Sequence, residues 1–158
     1  MKKMVSYIIL LLIILTACQQ PNSDMNYFVT LTGESENWQL TGYELMQTSD
    51  AFKAGNGLLK SNNSDETKKV NFLSVDTFIV INDEEEKVQG YAVSGDTEVF
   101  EQDVGAIERE ERRFDDFSKI SEVYSIVTWN DADTNGDEEE IIQLYDRSEE
   151  KTTFLDAM

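Results

Sequence analysis

The chain has no histidine, one cysteine, one proline and only 13 lysines and arginines in 158 residues. The lack of histidine excludes Ser-His-Asp and Cys-His centres, histidine acid–base chemistry and histidine-ligated zinc. A single cysteine excludes an intrachain disulfide and cysteine-rich metal sites. Against those few basic residues stand 32 Asp+Glu, a formal net charge of −19. A surface of that sign is a poor partner for nucleic acid, whose phosphates require Lys and Arg. The length provides for one ordinary domain, able to bury a core without a staple, and not for two.

The one cysteine has an informative position. Met1-Lys2-Lys3 is a short basic region, and Val5 to Leu15 (VSYIILLLIIL) is an apolar run. A spanning helix needs about 20 apolar residues, so the run reads as a secretory signal. It ends in Leu15-Thr16-Ala17-Cys18, which is similar to the lipobox of bacterial lipoproteins. In such proteins the cysteine thiol takes diacylglycerol and, once residues 1–17 are removed, becomes an acylated N-terminus carrying fatty acid of the palmitate type. The competing reading is an ordinary signal peptide with a chance cysteine. Removal of 1–17 takes away Lys2 and Lys3 and no acid, leaving 11 basic against 32 acidic residues, net −21. Anionic lipid repels such a chain, so a polybasic patch cannot hold it, whereas two acyl chains can. Residues 18–25 carry the only proline and read as a tether from the lipid anchor on Cys18.

From residue 26 to 146 the apolar residues come in short β-rich runs separated by turn clusters. Tyr27–Thr32, Trp38–Gln47, Leu58–Ser61, Val70–Ser74, Thr77–Ile81, Val88–Val93, Glu98–Glu101, Val123–Trp129 and Ile141–Tyr145 are the strand candidates. In the second the apolar set changes phase, from Trp38 and Leu40 to Tyr43 and Leu45, which predicts a bulge. Gly33–Asn37, Asp83–Glu86 and Ser94-Gly95-Asp96 read as turns, and Asn62-Asn63-Ser64 as a chance glycosylation sequon. Runs at this spacing predict an all-β sandwich or barrel. Ile107–Phe117 lacks β alternation. Ile107, Phe114 and Phe117 fall on one side at helical spacing, predicting a short helix or ordered loop. It holds Arg109, Arg112 and Arg113, which could seat an acidic group but read better as partners of neighbouring carboxylates. Residues 147–158 read as a polar tail.

Gly33-Glu34-Ser35-Glu36-Asn37-Trp38, directly after the first strand, resembles the G-E-S-x-N-W opening of small lipoproteins of Gram-positive bacteria. The ending is similar too: an aromatic strand closing in Trp129, a polar loop, then Glu140-Ile141-Ile142-Gln143-Leu144. The resemblance implies an immunoglobulin-like β-sandwich on the extracytoplasmic face of the cell membrane, and brings no activity. For the opening, one reading is that Gly33 supplies an unusual backbone angle and Trp38 plugs the sandwich end. The other is a ligand surface built on Glu34, Glu36 and Trp38.

Asp131-Ala132-Asp133-Thr134-Asn135-Gly136-Asp137 has the spacing that opens an EF-hand calcium loop, with Asp131, Asp133, Asn135 and Asp137 as weak candidate ligands. The twelfth place is Ile142 in place of a bidentate Glu, and a strand precedes the loop. The alternative is an acidic hairpin turning at Asn135-Gly136, in which Trp129 faces Ile142 and Val127 faces Leu144. Asp83–Glu86 reads as a solvated turn. With 32 acids, some carboxylate pair meets any glycosidase spacing, so none identifies an enzyme. The expectation is a lipid-anchored cell-surface lipoprotein, non-enzymatic and without a cofactor, acting as a binding or envelope-associated module. Its partners would be the membrane, through Cys18, and an unknown envelope or extracellular component. The alternative is a calcium-binding or calcium-stabilised surface domain.

Overall fold

Alternation governs the first strand. Tyr27, Val29 and Leu31 turn inward from β1 (Tyr27–Glu34) while Phe28 and Thr30 turn outward. The computed structural model describes residues 26–62, 68–99, 101–111, 114, 116–131 and 136–148. The further strands are β2 (Trp38–Gln47), β3 (Phe52–Gly55), β4 (Leu58–Ser61), β5 (Lys68–Ile81), β6 (Glu84–Val99), β7 (Glu101–Asp103), β8 (Ala106–Arg109), β9 (Ile120–Asp131) and β10 (Asp137–Asp146). One 3-10 turn, Phe117–Lys119, precedes β9.

All pairings are antiparallel. In one sheet β2 carries β1 on one side and β3 and β4, end to end, on the other; β8 pairs with β3 and β7 with β4. The second sheet runs β10-β9-β5-β6. Two antiparallel sheets over a shared core make the expected β-sandwich, the architecture of immunoglobulin-like domains, here with its own strand order.

The phase change in β2 is a bulge. Leu31 pairs with Tyr43 but Gly33 with Leu40, and Gly42 takes a positive φ of 67° between them. Trp38, Leu40, Tyr43 and Leu45 are thereby all fully buried. Trp38 of one sheet meets Trp129 of the other edge-on, ring centres 5.5 Å apart. Within the second sheet, the buried Thr77 and Ser125 hydroxyls satisfy each other at 2.8 Å.

Several expectations are corrected. Of the segment expected as a short helix or ordered loop, Ile107–Arg109 belongs to β8 and Phe117 opens the 3-10 turn, which Asp116 caps by accepting from the Ser118 N–H. The apolar residues there still turn inward. Phe117 stacks on Tyr27 at 5.0 Å, and Phe114 meets Phe52 edge-on at 5.4 Å. The Gln47 side chain fixes this loop, accepting from the Phe114 N–H at 2.8 Å and donating to the Phe114 carbonyl.

The runs Val70–Ser74 and Thr77–Ile81 are one strand, β5. The turn expected at Asp83–Glu86 is shorter and earlier. Asn82 and Asp83 alone form it, with φ of 53° and 64°, and Glu84–Glu86 lie in β6. Asn and Asp tolerate that left-handed geometry, which suits a two-residue turn between twisted strands. Ser94–Asp96 is a bulge inside β6, where Val70 pairs with Thr97 and Phe72 with Ser94. β3 was not foreseen. In the β9–β10 hairpin Trp129 faces Glu138 and Val127 faces Glu140, so the turn does not centre on Asn135-Gly136. The register is displaced by four residues, an even number, so Ile142 and Leu144 keep their buried side. Arg147 is not part of a free tail. Its N–H donates to the Ser121 carbonyl at 2.9 Å and its guanidinium to the Ile120 carbonyl at 2.6 Å. Residues 149–158 lie outside the described residues, as do 1–25 with the signal, the tether and Cys18.

Candidate functional site

The two segments that carried the family resemblance meet in space. Gly33 lies against β10 so closely that a Cβ there would stand 2.1 Å from the Gln143 carbonyl oxygen. Its φ is not among the positive ones, so the glycine serves close approach and not an unusual angle. One turn further, the Glu140 carboxylate closes the β1–β2 loop onto β10. The Ser35 hydroxyl donates to it at 2.6 Å and the Asn37 backbone N–H at 3.0 Å, and the Asn37 side-chain amide donates to its other oxygen. Charge-assisted bonds of this kind are the strong ones. Ser35, Asn37 and Glu140 therefore act as a clamp. Trp38, fully buried, cannot contact a ligand, which removes the centre of the surface expected on Glu34, Glu36 and Trp38; the two glutamates remain exposed.

For the acidic loop, Asp133 and Asn135 lie outside the described residues. Asp131 ends β9 and Asp137 begins β10. The Asp137 carboxylate accepts from the Asn130 side-chain amide at 2.9 Å, across the hairpin. Arg109 is exposed on β8 opposite Phe52; Arg112 and Arg113 lie outside the described residues.

A different surface collects apolar side chains that are half-buried or exposed. The outer face of the four-stranded sheet carries Phe78 and Val80 from β5, Tyr124 and Ile126 from β9 and Ile141 from β10. Registers set Phe78 beside Tyr124 and Ile126 beside Ile141. The Tyr124 ring stacks on Phe78 at 5.4 Å and reaches across β5, its hydroxyl donating to Glu85 of β6. Ile141 is 57% exposed, the most exposed large apolar side chain of the described domain, with Phe28 on the other sheet at 53%. Around Tyr124 runs a shallow open groove of about 440 Å³. Val80, Ile126 and Ile141 form apolar parts of its floor, and Asp83, Glu85 and Glu122 its acidic rim.

The nearby cation, Lys87, is held by Asp76 at 2.7 Å and does not line the groove. The field around Tyr124 is negative. Burial first, then the hydrogen bond to Glu85 and the charges of Glu85 and Glu122, push its phenol up to about 12. Inside the sandwich, burial pushes the Tyr43 phenol up still further, with Thr77 opposing. Both stay neutral at physiological pH.

The groove was missed in the sequence, although a signal for it is there. Val123-Tyr124-Ser125-Ile126-Val127, Phe78-Ile79-Val80 and Ile141-Ile142 are apolar in both phases of the alternation. Such strands carry apolar surface on both faces of a sheet, and the outer face must then be covered or used.

No protein-family model matches the chain, and no curated protein matches it significantly. Among solved structures, a Parabacteroides merdae β-glucuronidase matches with a TM-score of 0.41 and 14% identity, over 73% of this chain and 13% of the enzyme's. The chain thus spans about one-eighth of that enzyme's length, and likeness at this level implies nothing about activity.

Proposed function

We propose that the chain is a lipid-anchored extracytoplasmic lipoprotein whose folded domain is a non-enzymatic binding or envelope-associated module. The observation that carries the binding part is the outer face of the β10-β9-β5-β6 sheet, with its half-exposed Tyr124 groove and exposed Ile141. Adjacent apolar side chains left facing water on a sheet are the usual mark of an interaction surface. The anchor rests on the basic start, the apolar run and Leu15-Thr16-Ala17-Cys18, and the membership in G-E-S-x-N-W lipoproteins on residues 33–38. Residues 18–25 would reach at most about 29 Å when extended. The domain begins where Tyr27 packs on Phe117, at the start of β9. With the anchor at that end, Asp131 at the end of β9 and Asp137 at the start of β10 would lie at the far end of the sheet.

Two linked measurements test this. Wild-type protein should partition into detergent, and Cys18→Ala should not. Detergent partition by signal-cleaved Cys18→Ala protein would refute the anchor. In envelope pull-downs with the anchor kept, Ile141→Asp should lose the captured component, while Phe28→Asp should retain it. Equal capture by both variants would refute the assignment to this face.

A further inference from the structure

We infer that the groove around Tyr124 takes an extended polypeptide segment that is both basic and apolar, presented by an envelope partner. This inference rests on the binding role proposed above and names the chemistry of that site.

The shape argues for an extended segment. A small molecule needs a concavity that encloses most of its surface, whereas this groove is open and lies on the outer face of a sheet. Contacts must therefore be collected along a length, from the Asn82-Asp83 turn beside β6 across β5 and β9 to Ile141 on β10. An extended chain places alternate side chains on one side, so it can set apolar groups on the floor and project others to the rim.

The charge argues for a basic one. Asp83, Glu85 and Glu122 stand on the rim, and the chain as a whole carries −19. An acidic segment would be repelled. A neutral apolar segment would leave the rim carboxylates partly stripped of water with no compensating charge. Lysine or arginine meets both demands, because its alkyl stem lies along apolar surface while its charge reaches the edge. The Tyr124 ring adds a face that attracts cations, and its hydroxyl bond to Glu85 holds that ring across the sheet.

The test uses the full lipidated chain in detergent micelles and a capped octapeptide of alternating lysine and leucine, at physiological ionic strength. Calorimetric titration should show saturable binding of this peptide. The glutamate–leucine analogue should not bind, and the lysine–serine analogue should bind at least fivefold more weakly. Glu85→Gln combined with Glu122→Gln should weaken the lysine–leucine peptide at least fivefold, as should Ile141→Ser. Glu108→Gln combined with Glu110→Gln removes the same charge from exposed positions in and beside β8, on the other sheet, and should change affinity less than twofold. The glutamine variants keep side-chain shape, and melting temperatures no lower than wild type would show that they fold.

Equal weakening by the remote pair would reduce the effect to bulk charge and overturn the inference. So would equal affinity for the lysine–serine peptide, or no binding of the lysine–leucine peptide. Loss of envelope capture in Ile141→Asp together with no peptide binding would leave the binding face standing and remove only its proposed partner chemistry.

Discussion

Replacing Glu140 by alanine removes the acceptor that holds the β1–β2 loop to β10. Three donors converge on that half-buried carboxylate: the Ser35 hydroxyl, the Asn37 N–H and the Asn37 amide. Hydrogen bonds to a charged group contribute about 1.5–3 kcal/mol each when buried. Here water can reach part of the site, and the three bonds are lost as one unit, so the low end applies and the bonds do not add. A total near 2 kcal/mol is expected. For a domain of roughly 120 residues the unfolding entropy is about 0.25 kcal/mol per kelvin, so the melting temperature should fall by about 8 °C. Removing one negative charge from a strongly acidic chain acts in the opposite direction. Glu139→Ala isolates that contribution, because Glu139 is exposed on the neighbouring position and loses the same charge. It should stay within about 0.5 kcal/mol of wild type. Glu140→Gln retains one acceptor oxygen and should lose about 1 kcal/mol. Urea melts of the three variants decide the matter. If Glu140→Ala and Glu139→Ala unfold at the same midpoint, the clamp has no energetic weight, and the meeting of the two motif segments is incidental.

Three further outcomes are expected. Trp38 and Trp129 are the two tryptophans of the chain and are both buried, so native fluorescence should be blue-shifted and resistant to acrylamide. Either Trp→Ala change should cost about 3–5 kcal/mol by chemical denaturation. Tyr124 should titrate near 12 by ultraviolet absorbance and drop toward its ordinary value of 10 in Glu85→Gln. Since its folded value lies above the unfolded one, its contribution to stability is complete below pH 10 and is lost as pH rises toward 12; an unchanged titration in Glu85→Gln would contradict the assigned contact. At low ionic strength, NaCl should raise the melting temperature by screening like charges, and CaCl₂ at matched ionic strength should raise it equally. A calcium-specific gain that disappears with Asp131→Ala and Asp133→Ala would establish coordination by the acidic loop.

The sequence made the inward positions legible and the pairings less so. Trp38, Leu40, Tyr43 and Leu45 announce a bulge through their phase, because burial enforces alternation residue by residue. Ile107, Phe114 and Phe117 read as inward-facing side chains and are so, on a backbone divided between β8, a loop and the 3-10 turn. Spacing alone cannot separate a helix face from a loop that Gln47 and Phe52 hold from elsewhere in the chain. The β9–β10 register failed for a related reason. Asn-Gly is a strong local turn signal, yet the pairing of β9 with β5 fixes one strand from the other side. The clamp was visible as two motifs, but nothing local shows that Glu140 reaches Ser35 across more than a hundred residues. Glycine at position 33 was informative, and its cause, contact with the Gln143 carbonyl, is a tertiary one. The Tyr124 groove was written in the doubly apolar strands and was read only as core.

The central claim is that the outer face of the four-stranded sheet engages an envelope partner. Its most direct test is site-specific photo-crosslinking in intact cells, with a photoreactive residue at Ile141 and, separately, at Phe28. The two positions are about equally exposed and lie on opposite sheets, so nonspecific collision labels both alike. The account predicts one discrete adduct from position 141, abolished by Glu85→Gln with Glu122→Gln, and none from position 28. Equal labelling from both positions, or none from 141, would contradict it.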